Sequence, residues 1–178
     1  MPQGSILGPL LFNIYICDLF LFTEDIDIDI ANYADDNTPY HCSENTASVI
    51  ERLEIAAITL FDWFKDNYLK ANAEKCHLLL STNETQQMQI NETIIDSSNK
   101  QKLLGVLIDN KLSFDQHVSN LCIKANQKLH ALSRISSFMN IEKRKSIMNA
   151  FIASQFGYCP LVWMFHSREL NNRINRIP

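Results

Sequence analysis

No Cys-x-x-Cys pair occurs anywhere in this sequence. The five cysteines, Cys17, Cys42, Cys76, Cys122 and Cys159, are odd in number and far apart, which argues against a disulfide framework and leaves reduced, mostly buried thiols as the expected state. Neither Cys76-His77 nor Cys159 with His166 has paired ligands at finger spacing, so structural zinc is not expected. A basic leader and cleavage site are also lacking, so the sequons at Asn83 and Asn91 are expected to go unused. An intracellular chain, cytoplasmic or nuclear and not secreted, is the expectation. The longest apolar stretch, Ile6 to Phe22, is interrupted by Pro9, Asn13 and Asp18; it falls short of a membrane span and reads as a buried helix. Internal repeats and low-complexity tracts are absent.

Basic residues are nearly missing from the front of the chain. Residues 1–60 carry ten acids and one base, residues 61–100 six and four, and residues 101–178 four and eleven, so segments of net -9, -2 and +7 make up the formal charge of -4. The overall sign argues against a polyanion partner, but the gradient suits a metal-binding half joined to a half that faces one. Two solvated faces of opposite sign are the alternative. With 178 residues, 46% apolar and 20% charged, the chain can bury a core as one domain, or as one domain with a small appendage.

What is present centres on Tyr33-Ala34-Asp35-Asp36. Glu24 to Ile30 alternates acid and isoleucine and reads as a strand, and Asn37-Thr38-Pro39 is prone to turn. The combination places adjacent carboxylates at the tip of a β-hairpin, where a hard cation could sit. An acidic turn favoured for backbone reasons alone is the other reading of the same residues. Asp25, Asp27 and Asp29 superficially match a calcium loop, but Ile30 stands where that loop needs glycine.

Two of the four glycines fall in the first eight residues. With Gln3 and Ser5 they make a loop whose backbone can approach another molecule before a helix begins near Pro9, with Leu10, Leu11, Ile14, Tyr15 and Leu19 on its apolar face. From an N-cap at Asn45, Val49, Ile50, Leu53, Ala57, Leu60, Phe61 and Phe64 recur at helical spacing to about Asn67, and Trp63 reads as core. Lys75 precedes a strand-like His77-Leu78-Leu79-Leu80. Met88 to Ile90 and Thr93 to Ile95 read as a hairpin, and Lys102 to Asp109 as one strand with a bulge or close backbone approach at Gly105. Beyond Asp109 the pattern is helical. A capping box, Ser113 with Gln116, opens a helix with Phe114, Val118, Leu121, Cys122, Ala125, Leu129, Leu132 and Ile135 on one stripe and Lys124, Lys128 and Arg134 off it. A second helix runs from about Asn140 through Lys143-Arg144-Lys145 to Ala153. A third follows Tyr158-Cys159-Pro160 and ends in Arg168, Arg173 and Arg176. A subdomain boundary is expected near 109–113.

Taken in order, Pro2-Gln3-Gly4-Ser5 with Gly8-Pro9-Leu10-Leu11-Phe12, Tyr33-Ala34-Asp35-Asp36, Leu69-x-x-Asn72-x-x-Lys75-Cys76, Leu103-Leu104-Gly105-Val106 with Asp109, and Ser154 to Trp163 cover nearly the whole chain. In these motifs the sequence resembles a reverse transcriptase of a non-LTR (LINE-type) retrotransposon. The resemblance implies an α+β fold: a partial polymerase palm, an antiparallel sheet with packed helices, over residues 1–109, then an all-helical thumb-like bundle over 110–178. It implies RNA-directed DNA polymerisation with Mg²⁺ or Mn²⁺, an RNA template, a DNA primer and deoxynucleoside triphosphates, and no membrane. Asp35 and Asp36 would be metal ligands, and Lys75 would help protonate the leaving group. Pro2, Gln3, Gly4, Ser5 and Tyr33 would position template base and nucleotide. Leu104 and Gly105 would lie in a hairpin that grips the primer. Lys124, Lys128, Lys143, Arg144 and Lys145 would hold phosphates, which gives affinity without sequence choice.

Two-metal phosphoryl transfer needs a further carboxylate from another strand, because neighbouring strand residues point to opposite faces. In the family that strand precedes the Pro-Gln-Gly-Ser loop. The expectation is therefore a carboxy-terminal fragment, inactive alone, with fingers and the first palm segment upstream. The alternative is a non-catalytic nucleic-acid-binding or interaction remnant.

Overall fold

The computed structural model describes residues 4–82 and 84–164, with Asn172 and Ile174. Pro2, Gln3, the Asn83 sequon and the terminal Arg168, Arg173 and Arg176 lie outside them. The fold is α+β, in two compact units: residues 1–78 with 84–97, and residues 79–83 with 98–178. The second unit thus takes in strands that precede residue 109, whereas the expected boundary near 109–113 marks where the sequence pattern turns helical. No helix among the described residues is long and apolar enough to cross a membrane.

The first unit opens with α1 (Gly8–Ile16), which has Pro9 in its first turn, and α2 (Leu19–Phe22). Their expected burial is found only in part. Leu10, Leu11, Ile14 and Tyr15 are exposed, while Ile16 and Leu19 are buried. The run is apolar at almost every position, so periodicity alone selects no face. Contact selects it: Ile16 and Leu19 pack on Leu60 and Trp63, flanked by Phe12, Ile30, Phe64 and Leu69. The Tyr15 hydroxyl donates to the Asn67 carbonyl, tying α1 to the end of the long helix. Residues 24–28, expected as strand, instead form turns in which Ile26 N donates to Thr23 O (3.2 Å) and Ile28 N to Ile26 O (2.7 Å). The alternation survives in burial, with acids exposed and Ile26, Ile28 and Ile30 half-buried.

Strands β1 (Asp29–Tyr33) and β2 (Asp36–Tyr40) pair antiparallel. Helix α3 (Thr46–Asp66) starts where Asn45 accepts from Ala47 N (3.0 Å) and buries Leu53, Ala57, Leu60 and Trp63, as expected, together with Ala56, while Val49, Ile50, Phe61 and Phe64 are half-buried. Strands β3 (Leu78–Leu79), β4 (Gln87–Ile90) and β5 (Thr93–Ser98) form a sheet ordered β3-β5-β4, with the expected hairpin closing at Ile90↔Thr93. Glu54 of α3 accepts from Gln89 N (2.7 Å), which satisfies a donor on β4.

In the second unit, Lys102 to Asp109 is not one strand. It is split between β6 (Lys100–Leu103) and β7 (Val106–Asp109), joined by Leu104 and Gly105. Both turn residues have positive φ, 45° and 88°, the two-residue geometry that matches the twist of flanking strands. Helix α4 (Asp115–Ile135) buries His117, Val118, Ala125 and Leu132. Its expected capping box does not form, because Ser113 N donates to Asp109 Oδ1 (3.1 Å) and Gln116 turns to Asn120. Helix α5 (Ile141–Met148) is capped by Asn140, as expected, but its predicted extension to Ala153 is a single π-helical turn over Asn149–Ala153, followed by α6 (Ser154–Gly157) and α7 (Leu161–Met164). Ala125, Leu132 and Ile152 make the core of this unit, with Leu129, Ile147, Met148 and Phe156 against them. All five cysteines are free, but Cys17 and Cys42 are exposed and the others half-buried, so the expected burial of the thiols holds for none of them.

Candidate functional site

The β1–β2 register pairs Tyr33 with Asp36 and Asn32 with Asn37. A two-residue turn, Ala34-Asp35, therefore closes the hairpin, with Ala34 at φ 53°. Asp35 sits in the turn and not on a strand, so the rule that neighbouring strand residues oppose each other does not separate it from Asp36. Tyr33, Asp35 and Asp36 are all exposed, and Asn37 Nδ2 donates to Asp35 O (3.2 Å), which fixes the turn backbone and leaves the carboxylates unengaged by it.

Carboxylate oxygens suit a hard divalent cation, and Mg²⁺ is commonly held by one or two carboxylates together with substrate phosphates. The pair at the turn fits that role in kind. Among the described residues, no group of three His, Cys, Asp or Glu side chains gathers to hold a metal ion, so the two acids of the turn by themselves would be only part of a ligand set.

Sequence reasoning missed Asn32 and Asn37. They face each other one step from the acids, and Asn32 Nδ2, Asn32 Oδ1 and Asn37 Oδ1 are buried without a hydrogen-bond partner among the described residues. Unpaired buried amides are unfavourable. The available signal was an asparagine two residues after Ile30 in the alternation, where an apolar residue belongs.

Gly4, at φ 86°, and Ser5 form an exposed loop ahead of α1. Lys75, expected just ahead of a strand, closes a single 3-10 turn over Ala73–Lys75 that Asn72 caps by accepting from Glu74 N (3.0 Å). Its neighbour Cys76 donates to Asn72 O (3.6 Å), and burial pushes that thiol's pKa up.

The other expected residues lie in the second unit. Leu104 and Gly105 form the β6–β7 turn, and the Tyr158 hydroxyl donates to Leu104 O (2.5 Å). Lys124, Lys143, Arg144 and Lys145 are exposed, and Lys128 is half-buried beside an apolar groove lined by Leu132, Ile135, Ile147 and Phe151. Arg144 is partly committed: its Nε and Nη2 both donate to Met139 O (3.0 Å) at the start of α5.

Asp109 was noted only as the end of a motif, and it organises the junction before α4. Its carboxylate accepts from Lys111 N (3.1 Å), Ser113 N (3.1 Å), Ser113 Oγ (3.1 Å) and Phe114 N (2.7 Å). Burial pushes its pKa up, but those hydrogen bonds outweigh burial and hold it below the usual carboxylate value. His117 Nδ1 accepts from Leu107 N (3.3 Å), which anchors α4 to β7. Burial, with the positive charge of Lys124, lowers its pKa.

Residues 1–116 match the family model described as reverse transcriptase (RNA-dependent DNA polymerase). The chain is 27% identical over 187 residues to the probable RNA-directed DNA polymerase from transposon BS of Drosophila melanogaster, covering 98% of this chain and 21% of that protein. It is 30% identical over 129 residues to the RNA-directed DNA polymerase from mobile element jockey of the same species, covering 68% and 14%. The jockey protein of Drosophila funebris is 25% identical over 189 residues, covering 98% and 20%. The chain thus spans about a fifth or less of these relatives' length. No solved structure matches it.

Proposed function

The chain belongs to the reverse transcriptase (RNA-dependent DNA polymerase) family, and on that premise we propose that it forms the palm edge and the thumb of a LINE-type retrotransposon polymerase. The palm takes residues 1–109 and the thumb 110–178. The observation that carries the reading is the Tyr33↔Asp36 register, which sets Asp35 and Asp36 side by side at the tip of a two-stranded hairpin. These carboxylates would hold the divalent cation, Mg²⁺ or Mn²⁺. When bound, such an ion offsets charge on the reacting phosphates and lowers the pKa of the attacking hydroxyl.

Each remaining group has a part suited to its chemistry. Tyr33, Gly4 and Ser5, with Pro2 and Gln3, flank the template base and incoming deoxynucleotide. Lys75 lies exposed and able to donate a proton to the leaving pyrophosphate. The Leu104–Gly105 turn meets the primer. Lys124, Lys128, Lys143, Arg144 and Lys145 track the phosphates of an RNA–DNA duplex, an interaction that weakens with salt.

The second reading, a non-catalytic nucleic-acid-binding remnant, draws on the lack of a third ligand beside Asp35 and Asp36 among the described residues. Primer extension on an RNA template, run with a binding titration of the same hybrid, tests both. The chain by itself is expected to bind the hybrid, less tightly as salt rises, and to incorporate no nucleotide. Incorporation that Asp35→Ala abolishes would show a complete catalytic site. Absence of hybrid binding would overturn both readings.

A further inference from the structure

We propose that Tyr158 is a positioning residue for the primer strand, its hydroxyl holding the Leu104–Gly105 turn in the shape that meets the primer end. The proposal rests on the reading of that turn given above. Two motifs that the sequence presents as unrelated, Leu103-Leu104-Gly105-Val106 and Gly157-Tyr158-Cys159-Pro160, meet here. The Tyr158 hydroxyl donates to Leu104 O at 2.5 Å across 54 residues of chain. A Cβ at Gly105 would lie 3.7 Å from Tyr158 Cε1, so the ring lies against the turn as well.

The turn needs holding. Asn-Gly is the usual pair where both central residues have positive φ, because asparagine tolerates the left-handed region. Here Leu104 occupies it at φ 45°. A leucine in that conformation is strained, and strain of this kind persists where surrounding contacts over-determine it. Packing is a poor explanation, since Leu104 is 39% exposed and Tyr158 53% exposed. Leucine here keeps an apolar side chain at a surface tip, at a conformational penalty that asparagine or glycine would avoid. The chain around Tyr158 is shaped for the contact: α6 stops at Gly157, Tyr158 is extended, and Cys159 turns left-handed at φ 47° before Pro160.

Tyr158→Phe removes the donor and keeps the ring. Two measurements on the full chain test the role: hydrogen exchange at the Gly105 and Val106 amides, and affinity for an RNA–DNA hybrid with a recessed primer 3′ end relative to a blunt hybrid. The expected result is faster exchange at the turn and a recessed-end preference reduced about fivefold, the size of one lost hydrogen bond, with the thermal midpoint lowered by no more than about 4 °C. Unchanged exchange would overturn the latch. Faster exchange with an unchanged preference would overturn the role toward primer. A wild-type chain that binds both hybrids equally would overturn the reading of the turn itself, and the exchange result would still decide the latch.

Discussion

Asp109 and His117 each make the stability of the second unit depend on pH, and both act in the same direction. Asp109 has a folded-state pKa below its ordinary 3.8. Its contribution is therefore complete above that value and is lost as pH falls through the lower, folded one. Asp109→Asn removes acceptor capacity from a carboxylate that takes four hydrogen bonds. It is expected to lower unfolding free energy by about 1–3 kcal/mol near neutral pH, read from urea melts. His117 must be unprotonated at Nδ1 to accept from Leu107 N. Its pKa lies below the ordinary 6.5, so its contribution is complete above pH 6.5 and is lost as pH falls through the folded value. The urea midpoint is expected to drop on acidification below 6.5, and to drop less in His117→Gln. Equal pH dependence in the two proteins would contradict the assignment.

Among the elements, the turn of the β1–β2 hairpin was misplaced, since Asn37-Thr38-Pro39, expected as the turn, lie on β2 and Ala34-Asp35 make it; helix α3 and the β4–β5 hairpin were legible because each carries its own punctuation. Asn45 caps α3, and turn residues separate short alternating strands. The face of α1 was not legible, since almost every residue from Ile6 to Phe22 is apolar and Trp63, which selects the face, lies far along the chain. Leu19 is fully buried and Leu11 is 51% exposed. Leu19→Ala is accordingly expected to lower stability by about 2–5 kcal/mol, and Leu11→Ala by under about 0.5 kcal/mol, measured by denaturant unfolding. Equal losses would place the wrong face inward. Read from its own residues, the β6–β7 turn looked like a bulge within one strand, because Leu-Gly lacks the asparagine that usually announces such a turn; the family resemblance alone implied the hairpin. The capping box at Ser113 failed because Asp109, at the end of the preceding strand, captures the same amide. Local patterns lose to a contact from a neighbouring element in each case.

For the whole molecule, the charge gradient follows the division into compact units, with the acidic turn in the first and the basic helices in the second. The position of Asp35 and Asp36 at a hairpin tip was legible from four residues and their flanks. The orphaned amides of Asn32 and Asn37 emerge only once the strands are paired. That the acidic turn holds a divalent cation, while the acids of residues 24–29 do not, is the claim on which the functional reading depends. Titrating Mn²⁺ into the isotopically labelled chain and following paramagnetic broadening tests it most directly. Broadening centred on residues 33–37, and lost in Asp35→Asn with Asp36→Asn, is the expected result. Broadening centred on Asp25, Asp27 and Asp29, or unchanged by those substitutions, would contradict it.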